Sequence, residues 1–586
     1  MNLYSVLRRS RAFKPLSFAL PLIFALPLVA HANSSAILEG DRAIPTLGNA
    51  GMVVTSHTLA TKAAIDVLRQ GGNAVDASVT AAFVLAVVQP RSGNIGGGGF
   101  MLVSPGDSDD VVAIDYREKA PAAASQNMFL TKEGTVDNQL SRFSHQSSGV
   151  PGTVAGLLLA LESYGTLDRK QAIAPAIELA TEGFIVPARF TKGLEKRRER
   201  LQKDPGSLAL FYKPDGSTYQ PGDRFKQPEL AKTLQRISDS GHEGFYQGET
   251  ARLIAEQMAA NDGLITEQDL ADYQAKIRVP ARGDYRGYQI YSMPPPSSGG
   301  THIVQILNLL EPYPIDDLGH NSAQTIHLMA EAMKLAYADR ATYLGDSDFV
   351  EVPLKGLLSA DYANERRKLI NSSQTTPSAE ILSGDAPSYE SSETTHFSIA
   401  DRDGNVVSNT YTLNFSYGSG ISVTGAGFLL NNQMDDFSAK PGEPNAYGLI
   451  GAEANRIEAN KRMLSSMSPT IVRHQGKNLL VTGTPGGSRI ITTTLQVIMN
   501  VIDHGLNVQE AVNAPRIHHQ WLPDKLRVET GLSPDTLKLL REKGHEIEIK
   551  AAMGASQSIY LDDQGMMQGA ADPRRETSSA MGLWRH

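Results

Sequence analysis

Apolar residues along this chain follow distinct spacings, and each spacing predicts a different kind of element. From Thr58 to Pro90, "TLATKAAIDVLRQGGNAVDASVTAAFVLAVVQP" carries two amphipathic-to-apolar helical stretches. Gly71-Gly72 stops the first, Asn73 restarts the chain and Pro90 ends the second, and both are expected in the core. "AQTIHLMAEAMKLAYADRATYLGD" repeats the helical spacing and closes at Gly345. Ile491, Leu495, Ile498 and Ile502 form an i, i+4, i+7, i+11 stripe, and Ser533-Pro534 with Gly544 bracket a further helix. Period-2 alternation predicts strands over 395–401, 405–413, 427–431, 469–474 and 478–483. The first two are joined by "DRDGN", a tight hairpin turn. Between Asn371 and Glu393 the run "NSSQTTPSAEILSGDAPSYESSE" has few large apolar side chains to offset the entropy of ordering it, which predicts a mobile surface segment. Helices, then strands, then helices predict sheet held between helical layers, without an internal repeat.

The N-terminus has a separate pattern. Arg8, Arg9, Arg11 and Lys14 precede "FALPLIFALPLVA", and Ala30-His31-Ala32 supplies small residues for cleavage. This is an export signal, residues 1–32, whose removal leaves Asn33 first. The run is broken by prolines and falls short of the roughly 20 residues a bilayer requires, so no membrane anchor is expected in the mature protein. A periplasmic protein, or one released from the cell, is expected. The 586-residue chain is 41% hydrophobic and 20% charged, enough for a large core. Its net charge of -8 argues against nucleic-acid partners, which call for a basic stripe, and favours a small solute. With no cysteine, disulfides, thiolate metal sites and a cysteine nucleophile are excluded.

Familiar catalytic motifs are missing. "NIGGGGFM" and "GTPGGSRI" lack the lysine of a P-loop, and "HEGFY" and "HEIEI" lack the second histidine of a zinc-protease helix. His518 and His519 are adjacent and point in different directions, which fits a structural role. "DRDGN" lacks the distal glutamate of a calcium loop. No metal or cofactor is expected. The sharpest feature is the abrupt change at "SSETTHFSIADRDGN", where an unstructured run becomes a strand. If the chain is cut between Glu393 and Thr394, Thr394 gains a free α-amine with a reference pKa of about 7.7–8, far nearer neutrality than the roughly 10.4 of lysine. One residue then supplies a nucleophilic hydroxyl and its general base. A start-of-strand threonine is the plain alternative. Thr410 and Thr412 lie on one face of the next strand, so spacing leaves both open as a supporting hydroxyl.

"TTHFSIADRDGN", "TYTLN", "LLNNQMDDFSAKPG", "NKRMLSSMSPT", "TGTPGGSRIITTTLQ" and "NAPRIHHQWLPD" resemble the small subunit of bacterial γ-glutamyltransferases, or γ-glutamyltranspeptidases. "NIGGGGFM", "AIDYREKAP", "GVPGTVAGL" and "MPPPSSGGTH" resemble the large subunit, collinear over nearly all the mature chain. The resemblance implies an α+β fold, a four-layer αββα sandwich of the N-terminal-nucleophile hydrolase type. It implies self-cleavage into a large chain, 33–393, and a small chain, 394–586, which stay together as a heterodimer. Glu393 stands where members often have Gln, but the attacked group is its main-chain carbonyl.

By the same resemblance, Thr394 attacks the γ-amide of glutathione or another γ-glutamyl compound, and water, an amino acid or a peptide then takes the glutamyl group. Thr412 matches the residue that supports the nucleophile. Gly486 and Gly487, just before a helix where N–H groups are unpaired, match the oxyanion donors. Arg117 matches the clamp for the substrate carboxylate, with Ser465 and Ser466 adding hydroxyl donors; Asp436, with Asn414 and Gln433, matches the set that holds the ammonium. The loop "KPGEPNAYGLIG", 440–451, resembles the lid, with Tyr447 as its gating aromatic. Two rivals remain. A cephalosporin-acylase-like amidase shares the nucleophile but has no use for Asp436, and an uncleaved binding protein for small zwitterions leaves the Thr394 boundary without a purpose.

Overall fold

The computed structural model describes residues 43–382, 394–446 and 448–585. The export signal, Glu393 and Tyr447 lie outside the described residues. Two seven-stranded antiparallel sheets organise the molecule. One runs in the order Ser579–Leu583, Gly51–Thr55, Thr395–Asp401, Val406–Thr412, Gly98–Ser104, Val112–Tyr116 and Lys276–Arg278. The other runs Thr46–Gly48, Met567–Ala571, Gln557–Leu561, Lys477–Thr482, Thr470–His474, Tyr288–Ser292 and Ala281–Tyr285.

Alternation along each strand sorts side chains into layers. Met52, Val54, Phe100, Leu102, Ala400 and Val406 face the second sheet and pack with its Ile471, Val481, Ile559 and Met567. Their neighbours Val53, Met101, Val103, Ile399 and Val407 face the other way, onto helices Thr58–Arg69, Ala74–Val88 and Thr153–Tyr164. On the far side, Ile290, Val472 and Leu480 pack against helices Gly299–Leu310, Ala323–Tyr343 and Arg489–Ile502. The result is helix, sheet, sheet, helix: the four-layer α+β sandwich expected.

Local chemistry explains the element boundaries. Asn73 accepts hydrogen bonds from Val75 and Asp76 N–H while Asp76 accepts from Asn73 N–H, a capping box that starts the fully buried helix Ala74–Val88. Ser533 caps Pro534–Glu542 through Asp535 N–H. At "DRDGN", Gly404 takes φ +86°, and the Asp401 carboxylate accepts from Asp403 N–H, Asn405 N–H and the Asn405 side-chain amide. Asp401 also accepts from Ala74 N–H at 2.8 Å, tying the turn to the buried helix.

Two expectations are corrected. The strand expected over 427–431 is only Phe428–Leu429, paired with Ser422–Val423 outside both large sheets; Gly427, at φ +76°, leaves extended conformation before it. The segment expected to be mobile is anchored in its described part, 371–382. His327 Nε2 donates to the Asn371 carbonyl at 2.7 Å, and Lys334 donates to Thr375 Oγ1 at 2.8 Å and to the Thr376 carbonyl. Glu331 accepts from Thr375 Oγ1 and Thr376 N–H, Asp524 from Ser378 N–H, and Trp521 Nε1 donates to Ser378 O. The ordering is driven by buried polar groups on other elements, which the composition of the segment itself does not reveal.

Candidate active site

Thr394 immediately precedes the strand Thr395–Asp401, which is flanked in its sheet by Gly51–Thr55 and Val406–Thr412. Pairing of Thr395 with Tyr411 brings the end of the neighbouring strand beside Thr394. Thr394 is buried, 4% exposed, and its Oγ1 lies 3.3 Å from Thr412 Oγ1. Thr410 is engaged elsewhere, 2.8 Å from His396 Nδ1. Thr412 Oγ1 also accepts from Asn414 N–H at 2.9 Å, which holds the hydroxyl beside Thr394. Arg575 donates to the Thr394 carbonyl at 3.3 Å. The next residue is fixed as well, since Thr395 Oγ1 meets Ser56 Oγ at 2.6 Å and Gln89 Nε2 at 3.2 Å.

Across from Thr394, the strand Lys477–Thr482 runs into Gly486 and Gly487 before the helix Arg489–Ile502. Gly486 has φ +148° and Gly487 φ +59°, conformations that a side chain disfavours. Gly487 lines a cavity shared with Thr394, Thr412, Asn414, Gln433, Asp436, Arg117, Ser465 and Ser466. All the site residues expected from the sequence and described in the structure therefore gather here, apart from Gly486, which sits one residue behind the lining.

The charged end of the cavity is built around Arg117. It is fully buried, following the strand Val112–Tyr116, and its Nη2 lies 2.5 Å from Asp436 Oδ2. Arg117 also donates from Nε to the Met463 carbonyl and from Nη2 to the Leu464 carbonyl, each at 3.2 Å, which fixes the plane of its fork. Gln433 Nε2 donates to Asp436 at 2.7 Å, and Asn414 Nδ2 to the Asn432 carbonyl at 2.9 Å. Ser465 Oγ accepts from Met467 N–H, while Ser466 Oγ accepts from Arg340 Nη2 at 3.3 Å.

Two charged residues here escaped sequence reasoning. Arg340 lines the cavity and donates through Nε to Ser298 Oγ at 2.9 Å; burial lowers its pKa to about 10. Its one sequence signal is an arginine in a helix, Ala323–Tyr343, that is buried along almost its whole length. Glu118, next to Arg117, is fully buried 3.4 Å from the guanidinium. Burial raises its carboxyl to about 7, Arg117 opposing and Asp436 adding to the rise.

The loop expected to be a lid is folded back on itself: Pro444 pairs with Ile450, Asn445 N–H donates to the Leu449 carbonyl, and Leu449 forms part of the cavity wall. The space within the cavity is about 30 Å³. That holds two or three waters, each requiring roughly 10–15 Å³.

A model of the family described as gamma-glutamyltranspeptidase matches residues 60–582. The chain belongs to the γ-glutamyltranspeptidase family. It is 53% identical over 538 residues, 92% of each chain, to the glutathione hydrolase proenzyme of Escherichia coli (strain K12). Among solved structures, cephalosporin acylase from Bacillus halodurans superposes with a TM-score of 0.82 at 28% identity, covering 94% of this chain and 99% of that one. The gamma-glutamyltranspeptidase of Helicobacter pylori matches with a TM-score of 0.55 at 48% identity, over 56% of this chain and 93% of that chain. The four layers are thus those of the γ-glutamyltranspeptidases and acylases, the N-terminal-nucleophile type of fold.

Metal-ligand side chains also meet in this γ-glutamyltranspeptidase chain, away from the cavity. His327, Glu331 and His545 bring ligand atoms within 4.8 Å of one another. Those atoms are occupied: His327 bonds His545 at 2.8 Å, and Lys334 Nζ lies 2.6 Å from Glu331. The cluster serves to anchor segment 371–382. His518 and His519 are likewise buried and bonded, to Thr492 and Asp524, consistent with structural roles. Among the described residues no helix is long and apolar enough to cross a membrane.

Proposed function

We propose that the protein is a self-processing γ-glutamyl hydrolase and transferase that acts on glutathione and related γ-glutamyl compounds. The observation that carries this reading is the 3.3 Å approach of Thr394 and Thr412 hydroxyls inside a cavity that also holds Arg117, Asp436 and Gly487. In maturation the Thr394 hydroxyl attacks the Glu393 carbonyl and the acyl group moves from nitrogen to oxygen, which breaks the C–N bond and frees the Thr394 amine; water then opens the ester, leaving Glu393 a carboxylate and restoring the Thr394 hydroxyl. That amine then takes the hydroxyl proton as Oγ1 attacks the γ-amide, while Thr412 supports the oxygen. N–H groups at Gly486 and Gly487 hold the oxyanion, each such donor being worth about 2.7–4 kcal/mol of barrier. The leaving amine takes the proton. Water, an amino acid or a peptide amine then attacks the ester, the Thr394 amine receives its proton and passes it to the departing Oγ1, and the free hydroxyl is restored.

The Arg117–Asp436 pair explains selection of the glutamyl head. A zwitterion presents a carboxylate to Arg117 and an ammonium to Asp436, so two interactions replace the one it divides. The cavity is small, about 30 Å³, and the loop 440–451 forms part of its wall through Leu449, so movement of this loop would enlarge it for a glutamyl group. The likeness to cephalosporin acylase supports a second reading, an amidase for acyl groups that lack the α-amine. Asp436 and Gln433 at the cavity favour the first. One experiment separates them from each other and from a binding protein. Wild-type protein is expected to run as two fragments divided before Thr394 and to release glutamate from glutathione, whereas Thr394→Ala stays one chain without turnover. An intact, fully active wild-type chain overturns the mechanism, and faster turnover of glutaryl than γ-glutamyl amides favours the acylase.

A further inference from the structure

A second, much larger cavity, about 1050 Å³, has walls that include residues next in sequence to those of the catalytic one. Its walls carry five cations, Arg142, Lys196, Arg197, Arg200 and Lys203, against two carboxylates, Glu199 and Asp204. Arg142 is neutralised by Asp435, with Nε 2.9 Å from Oδ1. Lys203 reaches Glu199 only at 4.0 Å, with both side chains exposed, a pairing of little strength. Among the described residues, Lys196, Arg197 and Arg200 form no ion pair within 4.0 Å.

Arg200 is the most telling of these. Its guanidinium lies 5.2 Å from the centre of the Phe143 ring and donates to the Ser416 carbonyl, while Nε is buried without a partner. Burial and the neighbouring Arg197 lower its pKa to about 10. A half-buried guanidinium without a counter-charge is poorly compensated, and a carboxylate reaching it from the groove supplies a charge-assisted partner.

One stretch of chain contributes to the walls of both the catalytic cavity and the groove. Thr412 and Asn414 line the cavity; Phe415, Ser419, Gly420 and Ile421 line the groove. The lid spans both, with Leu449 on the cavity and Ala446 on the groove. This stretch runs from the wall of the catalytic cavity to the wall of the groove that Arg200 lines.

We propose that the groove is an anion subsite that holds the carboxylates of an acidic peptide, either the leaving peptide of a γ-glutamyl donor or the acceptor that replaces it. The inference rests on the γ-glutamyl reading above. Leaving and accepting amines occupy one position relative to the acyl carbon, so both place the rest of their chain on the same side. The ligand class is therefore γ-glutamyl peptides rich in Asp or Glu beyond the reacting amide.

The test uses the mature two-fragment enzyme at low salt. In the donor arm, hydrolysis of γ-Glu-Gly-Asp-Asp-Asp is compared with γ-Glu-Gly-Asn-Asn-Asn. In the acceptor arm, transfer from γ-glutamyl-4-nitroanilide to Gly-Asp-Asp is compared with Gly-Asn-Asn. The expected acidic-to-neutral ratio of kcat/KM is about tenfold, falling toward one at 1 M salt and in the double variant Arg197→Glu, Lys203→Glu. Such a ratio in one arm alone assigns the groove to that role and supports the proposal. A ratio near one in both arms, or one that survives charge reversal, overturns it. Failure to turn over the nitroanilide or either γ-glutamyl peptide strikes instead at the γ-glutamyl reading, and the inference falls with it.

Discussion

At Thr412 and Thr410 the difference between two identical side chains is a matter of register. Period-2 spacing puts both on one face, and only the pairing of Thr395 with Tyr411 decides which reaches Thr394. Thr412→Val is expected to lower kcat by about 10²-fold while leaving folding intact, on the scale of a lost proton-transfer partner. Thr410→Val leaves His396 without its 2.8 Å partner, so it is expected to cost about 1–3 kcal/mol of stability with little effect on kcat. Equal kinetic losses in the two variants contradict this assignment. Arg117 and Asp436 were legible only through resemblance to a family, because a single arginine or aspartate in sequence looks like a surface charge. Glu118 was not legible: its significance comes from burial beside Arg117, which adjacency in sequence does not foretell. Its carboxyl, raised from 4.5 to about 7, keeps a proton in the folded protein that the unfolded chain has released. This contribution to stability is full below about pH 4.5 and is lost as pH rises through 7. Glu118→Gln removes it, so variant stability relative to wild type is expected to rise by up to about 3 kcal/mol from pH 4.5 to 8. Urea midpoints at several pH values measure it, and a constant difference contradicts it.

At the scale of elements, the sequence was most readable where the cause of an element is local. Asn73, Ser533, Pro534 and the "DRDGN" turn act on residues within four positions, and the structure has the expected helices and hairpin there. It was least readable where the cause lies elsewhere in the chain. Segment 371–382 is held by Glu331, Lys334, Asp524 and Trp521, none of them its neighbours in sequence. Lys334 is fully buried 2.6 Å from Glu331. Lys334→Met is therefore expected to destabilise the protein by about 3–5 kcal/mol, because a buried carboxylate loses its counter-charge. Backbone amide exchange at Thr376 and Ser378 is expected to quicken in the same variant. Unchanged protection there means that the segment is anchored by other contacts.

For the whole molecule, the layer order was legible as helices, strands and helices, whereas the membership of each sheet was not. Strands from before and after Thr394 alternate: Gly51–Thr55 and Gly98–Ser104 flank the hairpin Thr395–Asp401 and Val406–Thr412. The other sheet also mixes the two parts, with Thr470–His474 paired to Tyr288–Ser292. The two fragments are therefore expected to co-elute on gel filtration and to separate only when the protein is denatured; separation in native buffer contradicts this arrangement. The shuffled strands also constrain the order of events in the cell. Were the two pieces translated from separate genes, each would carry half of both sheets, with unpaired strand edges open to aggregation before the halves could meet. A single reading frame, severed on the proposed mechanism only by a Thr394 that the folded sandwich has positioned, avoids that hazard.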